Sequence, residues 1–168
     1  HTYWQNPGSV GLATTIDWTL PEGFTASSIH WPYPENSLMT GHPCHGYERD
    51  TTLLFIITPP KNLTQKSITL TAKASWMACA NECHPGTQTF TLTLPVTKTT
   101  TPNPTNKTLI TTAQQQIPKP NPTWKTKLLS PPNSPTIKLQ ISPPKNAPAP
   151  SYLFSIDAQI SSSNTQNI

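Results

Sequence analysis

Residues 67–95 read SITLTAKASWMACANECHPGTQTFTLTLP. From Ser67 to Met77 the apolar side chains recur at every second position, so Ile68, Leu70, Ala72, Ala74 and Trp76 share one face. A period of two belongs to a half-buried strand and not to a helix. Thr87 to Val96 alternates in the same way, with Phe90, Leu92 and Leu94 in step. The two segments flank Cys79 to Pro85. They predict a β-hairpin whose tip carries Cys79 and Cys83.

The rest of the chain is compatible with strands and hostile to helices. Among 168 residues, 21 are Pro and only 6 are Gly, and Thr is abundant throughout. An interior Pro removes a helical hydrogen bond and clashes with the preceding turn, whereas Thr, Val, Ile and aromatic residues suit a pleated surface. The chain is therefore read as all-β, with turns and linkers marked by Pro. The net charge is +4, and its eleven Lys and Arg are scattered. Without a basic stripe interleaved with aromatics, a nucleic-acid partner is not expected. No apolar run approaches the ~20 residues that span a bilayer. The opening His1-Thr2-Tyr3-Trp4 has no charged start and no apolar signal core. It reads as a mature or trimmed piece, which leaves room for a membrane span elsewhere in a longer protein.

Along the chain, Gly11 to Trp18 (GLATTIDW) predicts a strand with Leu12, Thr14, Ile16 and Trp18 on one face. Pro21-Glu22-Gly23 marks a turn, and Ser28 to Trp31 a further short strand. Residues 35–46 (ENSLMTGHPCHG) show no periodicity and are read as a loop. Thr51 to Thr58 (TTLLFIIT) is nearly all apolar and reads as a buried central strand ended by Pro59-Pro60. Three divisions follow: a β-sandwich over 1–97, a Pro/Thr-rich linker over 98–122, and a smaller β unit over 123–168. The linker begins with KTTTPNPTN and has room for a short helix over Leu109 to Gln116. The last unit offers strand candidates at Trp124–Leu129, Thr136–Ser142 and Tyr152–Ile156, followed by a polar, frayed tail at 161–168.

Three cysteines, Cys44, Cys79 and Cys83, leave at least one unpaired within the chain. Four extended residues would hold Cys79 and Cys83 roughly 13 Å apart, while a disulfide needs Cα atoms at about 4.4–6.8 Å. Pairing thus requires a chain reversal, which a hairpin supplies. So short a ring removes little unfolded-state entropy, roughly 2 kcal/mol. It is a weak staple but a workable redox device, because the sulfurs stay adjacent after reduction and one can resolve a mixed disulfide formed on the other. Spacing alone leaves a structural disulfide, two unpaired thiols and a metal site open as well. His42, Cys44 and His45 form one tight Cys/His group, and Cys79, Cys83 and His84 another. Both are suited to zinc or Cu(I), and all six residues would converge if the 35–46 segment folds over the hairpin, though neither group has zinc-finger spacing.

A family resemblance narrows these alternatives. Tyr3-Trp4-Gln5-Asn6-Pro7-Gly8, Gly11-Leu12, Ile16 to Phe24 (IDWTLPEGF), Ile29 to Pro34 (IHWPYP) and Gly46-Tyr47-Glu48 resemble the amino-terminal domain of DsbD/ScsB-type proteins. Ala74 to Gly86 (ASWMACANECHPG) resembles that family's Trp-x-x-Cys-x-x-x-Cys-x-Pro-Gly signature, and Leu92-Thr93-Leu94-Pro95 its strand end. The resemblance is dense over residues 1–96. It is thinner beyond, where Trp124 and Tyr152-Leu153-Phe154 match the second unit of longer members. It implies an immunoglobulin-like β-sandwich followed by a second, smaller β unit, with a further strand ahead of His1. It also implies thiol–disulfide oxidoreductase activity without a cofactor, on the periplasmic side of a bacterial inner membrane. Electrons would arrive from a membrane thiol relay or thioredoxin-like domain, with a transmembrane domain fused outside this fragment, and leave to isomerase-like proteins of thioredoxin fold. By position, Cys83 resembles the sulfur that forms the mixed disulfide and Cys79 the resolving one.

The resemblance further implies a cap over the pair, near Asn36 to His45. Leu38, Met39 and His42 would then shield the sulfurs or meet the partner, together with Tyr47 beside the cap. His84, next to Cys83, could supply positive charge or accept a proton. Cys44 is not a feature the resemblance accounts for. Competing readings of the whole chain are a Cys/His metal-binding or metal-resistance module using His42, Cys44 and His45, and a structural sandwich with no chemistry.

Overall fold

A computed structural model describes residues 1–99, 102–160 and 166. The chain forms two compact units, His1–Pro118 with Phe154–Thr165, and Lys119–Leu153 with Gln166–Ile168. In the first unit the long hairpin is present and exceeds its expected length. Strands β7 (Ser67–Cys79) and β8 (Cys83–Pro95) stay in unbroken register from Ser67↔Pro95 to Cys79↔Cys83. Ile68 faces Leu94, Leu70 faces Leu92 and Ala72 faces Phe90 across the pair, so the alternation of each strand puts its apolar residues on one common side. Gly86 lies opposite Trp76, and a Cβ there would run into the indole ring.

Strand β2 (Thr15–Thr19) pairs along the other edge of β7, giving the sheet order β2-β7-β8. Its partners include Ile16↔Ala74 and Trp18↔Ala72, and Trp18 meets Phe55 edge to face at 5.3 Å. The strand is shorter than the expected Gly11–Trp18. Gly11 takes a positive φ and Leu12 is exposed, so the approach to β2 is a bend.

A second sheet has the order β1-β5-β4, from β1 (Thr2–Gly8), β4 (Glu35–Met39) and β5 (His42–Tyr47). The expected loop over 35–46 is thus a hairpin. Its two-residue turn, Thr40-Gly41, has positive φ at both positions, as the tightest hairpin connections require. Periodicity is missing from the sequence because β5 is the middle strand and is covered on both faces. Cys44, His45, Gly46 and Tyr47 are all buried in succession.

The Thr51–Thr58 run is not a central strand. Only Ile57–Thr58 (β6) forms a ladder, with β3 (Thr25–Ala26). The remainder is tied by single bonds, Ser27 N to the Ile56 carbonyl and His30 N to the Leu54 carbonyl. Ile56 is exposed, and residues 51–55 are only partly buried. The Ser28–Trp31 segment contributes one isolated bridge, His30↔Leu54, in place of a strand. Within the span read as linker lies α1 (Pro104–Gln115). The Asn103 side chain accepts from Asn106 N, Pro104 begins the helix, and Ala113 is buried.

In the other unit β9 (Lys125–Leu128) and β10 (Leu139–Ser142) form an antiparallel pair. Tyr152–Ile156 is not a strand. The tail expectation falls outside the described residues except at Gln166, whose amide exchanges two hydrogen bonds with the Leu153 backbone.

Candidate functional site

The hairpin tip needs only three residues, Ala80, Asn81 and Glu82, to reverse the chain, and Ala80 N bonds the Glu82 carbonyl. The reversal brings Cys79 and Cys83 together as a disulfide with Cα atoms 4.1 Å apart. On its other side Cys79 is held by His1, immediately ahead of β1. The His1 backbone nitrogen donates to the Cys79 carbonyl at 2.7 Å, and Cys79 N donates to the His1 carbonyl at 2.9 Å. The two sulfur-bearing residues differ sharply in environment. Cys79 is 2% exposed, while Cys83 lies on the exposed outer strand. Beside the tip is a shallow depression of about 360 Å³ lined by Ala80, Asn81, Glu82 and His84.

Beneath Cys79 lies a small apolar cluster of Tyr3, Met39 and Cys44, with Val10 and Met77 packed against it. Tyr3 is registered opposite Gly46, and Cys44 opposite Gly8. The Tyr3 ring rests on Gly11, where a Cβ would collide with it. Cys44 is a free thiol with no exposed surface. Burial pushes its pKa up, and Glu48 adds to that, against the lowering effects of the first residue's backbone amine and of a Met39 backbone bond.

The expected cap residues divide. Met39 sits in the cluster with Cys79, whereas Leu38 and His42 face solvent. Tyr47 is buried, but its hydroxyl donates to the Pro32 carbonyl at 3.0 Å, and burial raises its pKa. His84 stands exposed beside Glu82, 4.0 Å away.

The two Cys/His groups do not converge. Cys44 joins the cluster beneath Cys79, while His45 donates from Nδ1 to the Asn6 carbonyl at 3.2 Å and stacks edge-on against Phe154 at 5.1 Å. Among the described residues no three His, Cys, Asp or Glu gather as a metal would need. Residue-level reading missed Val10, Gly11 and Met77. Gly11 carried a signal, since a glycine after a Pro-Gly-Ser-Val run is a sign of backbone that must approach something closely.

The comparisons agree with this geometry. The family model described as "Thiol:disulfide interchange protein DsbD, N-terminal" matches residues 1–95. A search of curated proteins finds no match. A solved structure, the N-terminal periplasmic domain of ScsB from Proteus mirabilis, resembles the chain with a TM-score of 0.52 and 18% identity. That match covers 83% of this chain and 65% of the other, so the chain spans less than two thirds of its structural relative. The fold is accordingly an immunoglobulin-like β-sandwich carrying a disulfide-bonded cysteine pair. With the match running from the first residue through the end of the cysteine hairpin, the chain belongs to the family of DsbD amino-terminal domains and carries a thiol–disulfide interchange module.

Proposed function

We propose that this module relays electrons through Cys79 and Cys83, from a membrane thiol relay or thioredoxin-like domain to periplasmic disulfide proteins of thioredoxin fold. The observation that supports this most is the unequal burial of the two cysteines. A partner thiolate must approach one sulfur in line with the S–S bond, and Cys83 is the residue on the exposed side. In the electron-accepting step the partner thiolate attacks Cys83 Sγ. The new bond joins Cys83 to the partner, and the electron pair of the broken bond stays on Cys79 Sγ. A second partner thiolate then attacks the partner's own sulfur in the mixed disulfide, which releases Cys83 and leaves the pair reduced. In the electron-donating step Cys83 attacks the disulfide of the substrate, and Cys79 resolves the mixed disulfide. Met39 packs at the buried sulfur and acts as the shielding part of the cap, while Leu38, His42 and His84 offer an exposed rim for a partner.

The test uses a thioredoxin-fold protein with one cysteine, activated as its thionitrobenzoate disulfide. The Cys79→Ser variant, with Cys83 free, is expected to release thionitrobenzoate at least ~10-fold faster than Cys83→Ser, since a reachable thiolate is the reacting species. Faster release by Cys83→Ser would reverse the assignment.

A further inference from the structure

Opening the Cys79–Cys83 bond from its exposed end leaves negative charge on the buried sulfur. An uncompensated charge in an apolar pocket is costly, so the pocket must supply a donor or the reaction is slow. Among the described residues, four buried side-chain polar atoms have no hydrogen-bond partner, and of these only Tyr3 Oη is carried by a residue of the cluster that includes Cys79. Tyr3 is 1% exposed, so water does not satisfy that hydroxyl from outside. Its ring is fixed against Gly11, and it lies two residues along the chain from His1, the residue bonded to the Cys79 backbone in both directions. An orphaned buried hydroxyl destabilises the closed molecule. It makes chemical sense if its acceptor exists only after the disulfide opens.

We propose that the Tyr3 hydroxyl is the hydrogen-bond donor that receives the Cys79 thiolate when the disulfide is opened at Cys83, making Tyr3 a catalytic residue of the exchange. This rests on the exchange reading given above and assigns its leaving-group stabiliser. No proton is transferred. The S–S electron pair moves to Cys79 Sγ, the new bond forms at Cys83, and Tyr3 keeps its proton while donating a hydrogen bond. Burial, followed by the neighbouring Cys44, holds the phenol above its ordinary range, which keeps it protonated throughout. The other titratable groups near Cys79 are Cys44 on β5, the His1–Glu48 pair at the adjoining strand ends, and Glu82 and His84 at the tip.

The test is Tyr3→Phe in the full chain, which retains the ring on Gly11. In a Cys83→Ser background, the pH dependence of the Cys79 ¹³Cβ shift reports that thiol directly. Loss of the donor is expected to raise its pKa by about one unit, the scale of a hydrogen bond to the charged form. With both cysteines present, and at a pH above the Cys79 pKa where the released sulfur stays a thiolate, reduction by dithiothreitol is expected to slow by up to about tenfold, and its equilibrium to shift about tenfold toward the disulfide, the same energy in another readout. A Cys79 titration unchanged in Tyr3→Phe overturns the proposal. So does a rise produced instead by Cys44→Ala, which would make the buried thiol the donor. A wild-type chain inert to dithiothreitol would sink the exchange reading itself, a result separable from a failure confined to Tyr3→Phe.

Discussion

Strands β5 and β8 invert the usual relation between pattern and burial. β8 alternates cleanly, yet every residue but Gly86 is exposed, and Phe90 retains 57% of its surface. β5 has no alternation, yet four of its six residues are buried. The difference is position. β8 is an edge strand with neighbours on one side only, while β5 lies between β1 and β4 and is covered on both faces. Alternation reports that a segment is pleated, and burial reports what surrounds it. The disulfide hairpin uses both conditions, with one cysteine on the inner strand β7 and the other at the start of the open one.

The comparison breaks first at Gly46. A side chain there would meet the Thr2 carbonyl oxygen, which is backbone and cannot move aside. Gly46→Val is expected to cost about 3 kcal/mol or more in urea unfolding, the upper range of overpacking; a smaller loss would mean that β1 and β5 part easily. Next in size is reduction of the disulfide. Closing so short a ring contributes roughly 2 kcal/mol, so the reduced chain should lose no more than that. A much larger loss would make the bond a staple.

A pH series sharpens the contrast on the covered strand. Burial lowers the pKa of His45, only partly offset by its bond to Asn6. Below the ordinary histidine range the unfolded chain binds this proton and the folded chain does not, so stability falls as pH drops from 7 toward 5. His45→Gln should flatten that slope, measured as the urea midpoint at each pH; an equal slope in the variant would place the effect elsewhere. The smallest effect belongs to β8, where Phe90→Thr should change stability by within about 0.5 kcal/mol. A loss above 2 kcal/mol would show that this row is covered in solution.

Much of the fold was legible in the sequence where a period of two coincided with one covered face. Ser67–Pro95 and the Cys79–Cys83 reversal are the clear cases. The 35–46 hairpin was hidden because two-sided burial erases the alternation in β5 while β4 is an edge strand left mostly exposed, with only Thr40-Gly41 as a turn signal. Thr51–Thr58 was misread for the opposite reason. Apart from Ile57-Thr58 its apolar run lacks ladder partners, and hydrophobicity alone cannot distinguish a central strand from an extended segment lying on one surface. Cys79 and Cys83 were legible from spacing and resemblance. Nothing in the sequence marks the Tyr3 hydroxyl, because its lack of a partner is a product of packing alone.

The back of β1 carries an amide clamp. Asn6 Nδ2 donates to the Ser155 and Asp157 carbonyls, each at 2.9 Å, and Trp4 meets Phe154 edge to face at 6.1 Å. A stretch some 150 positions later in the chain therefore serves as the rear wall of the strand that braces Cys79. Anyone trimming the protein to its family-matching part would strip that wall, leaving the Trp4 indole and the His45 imidazole without the Phe154 ring that covers them.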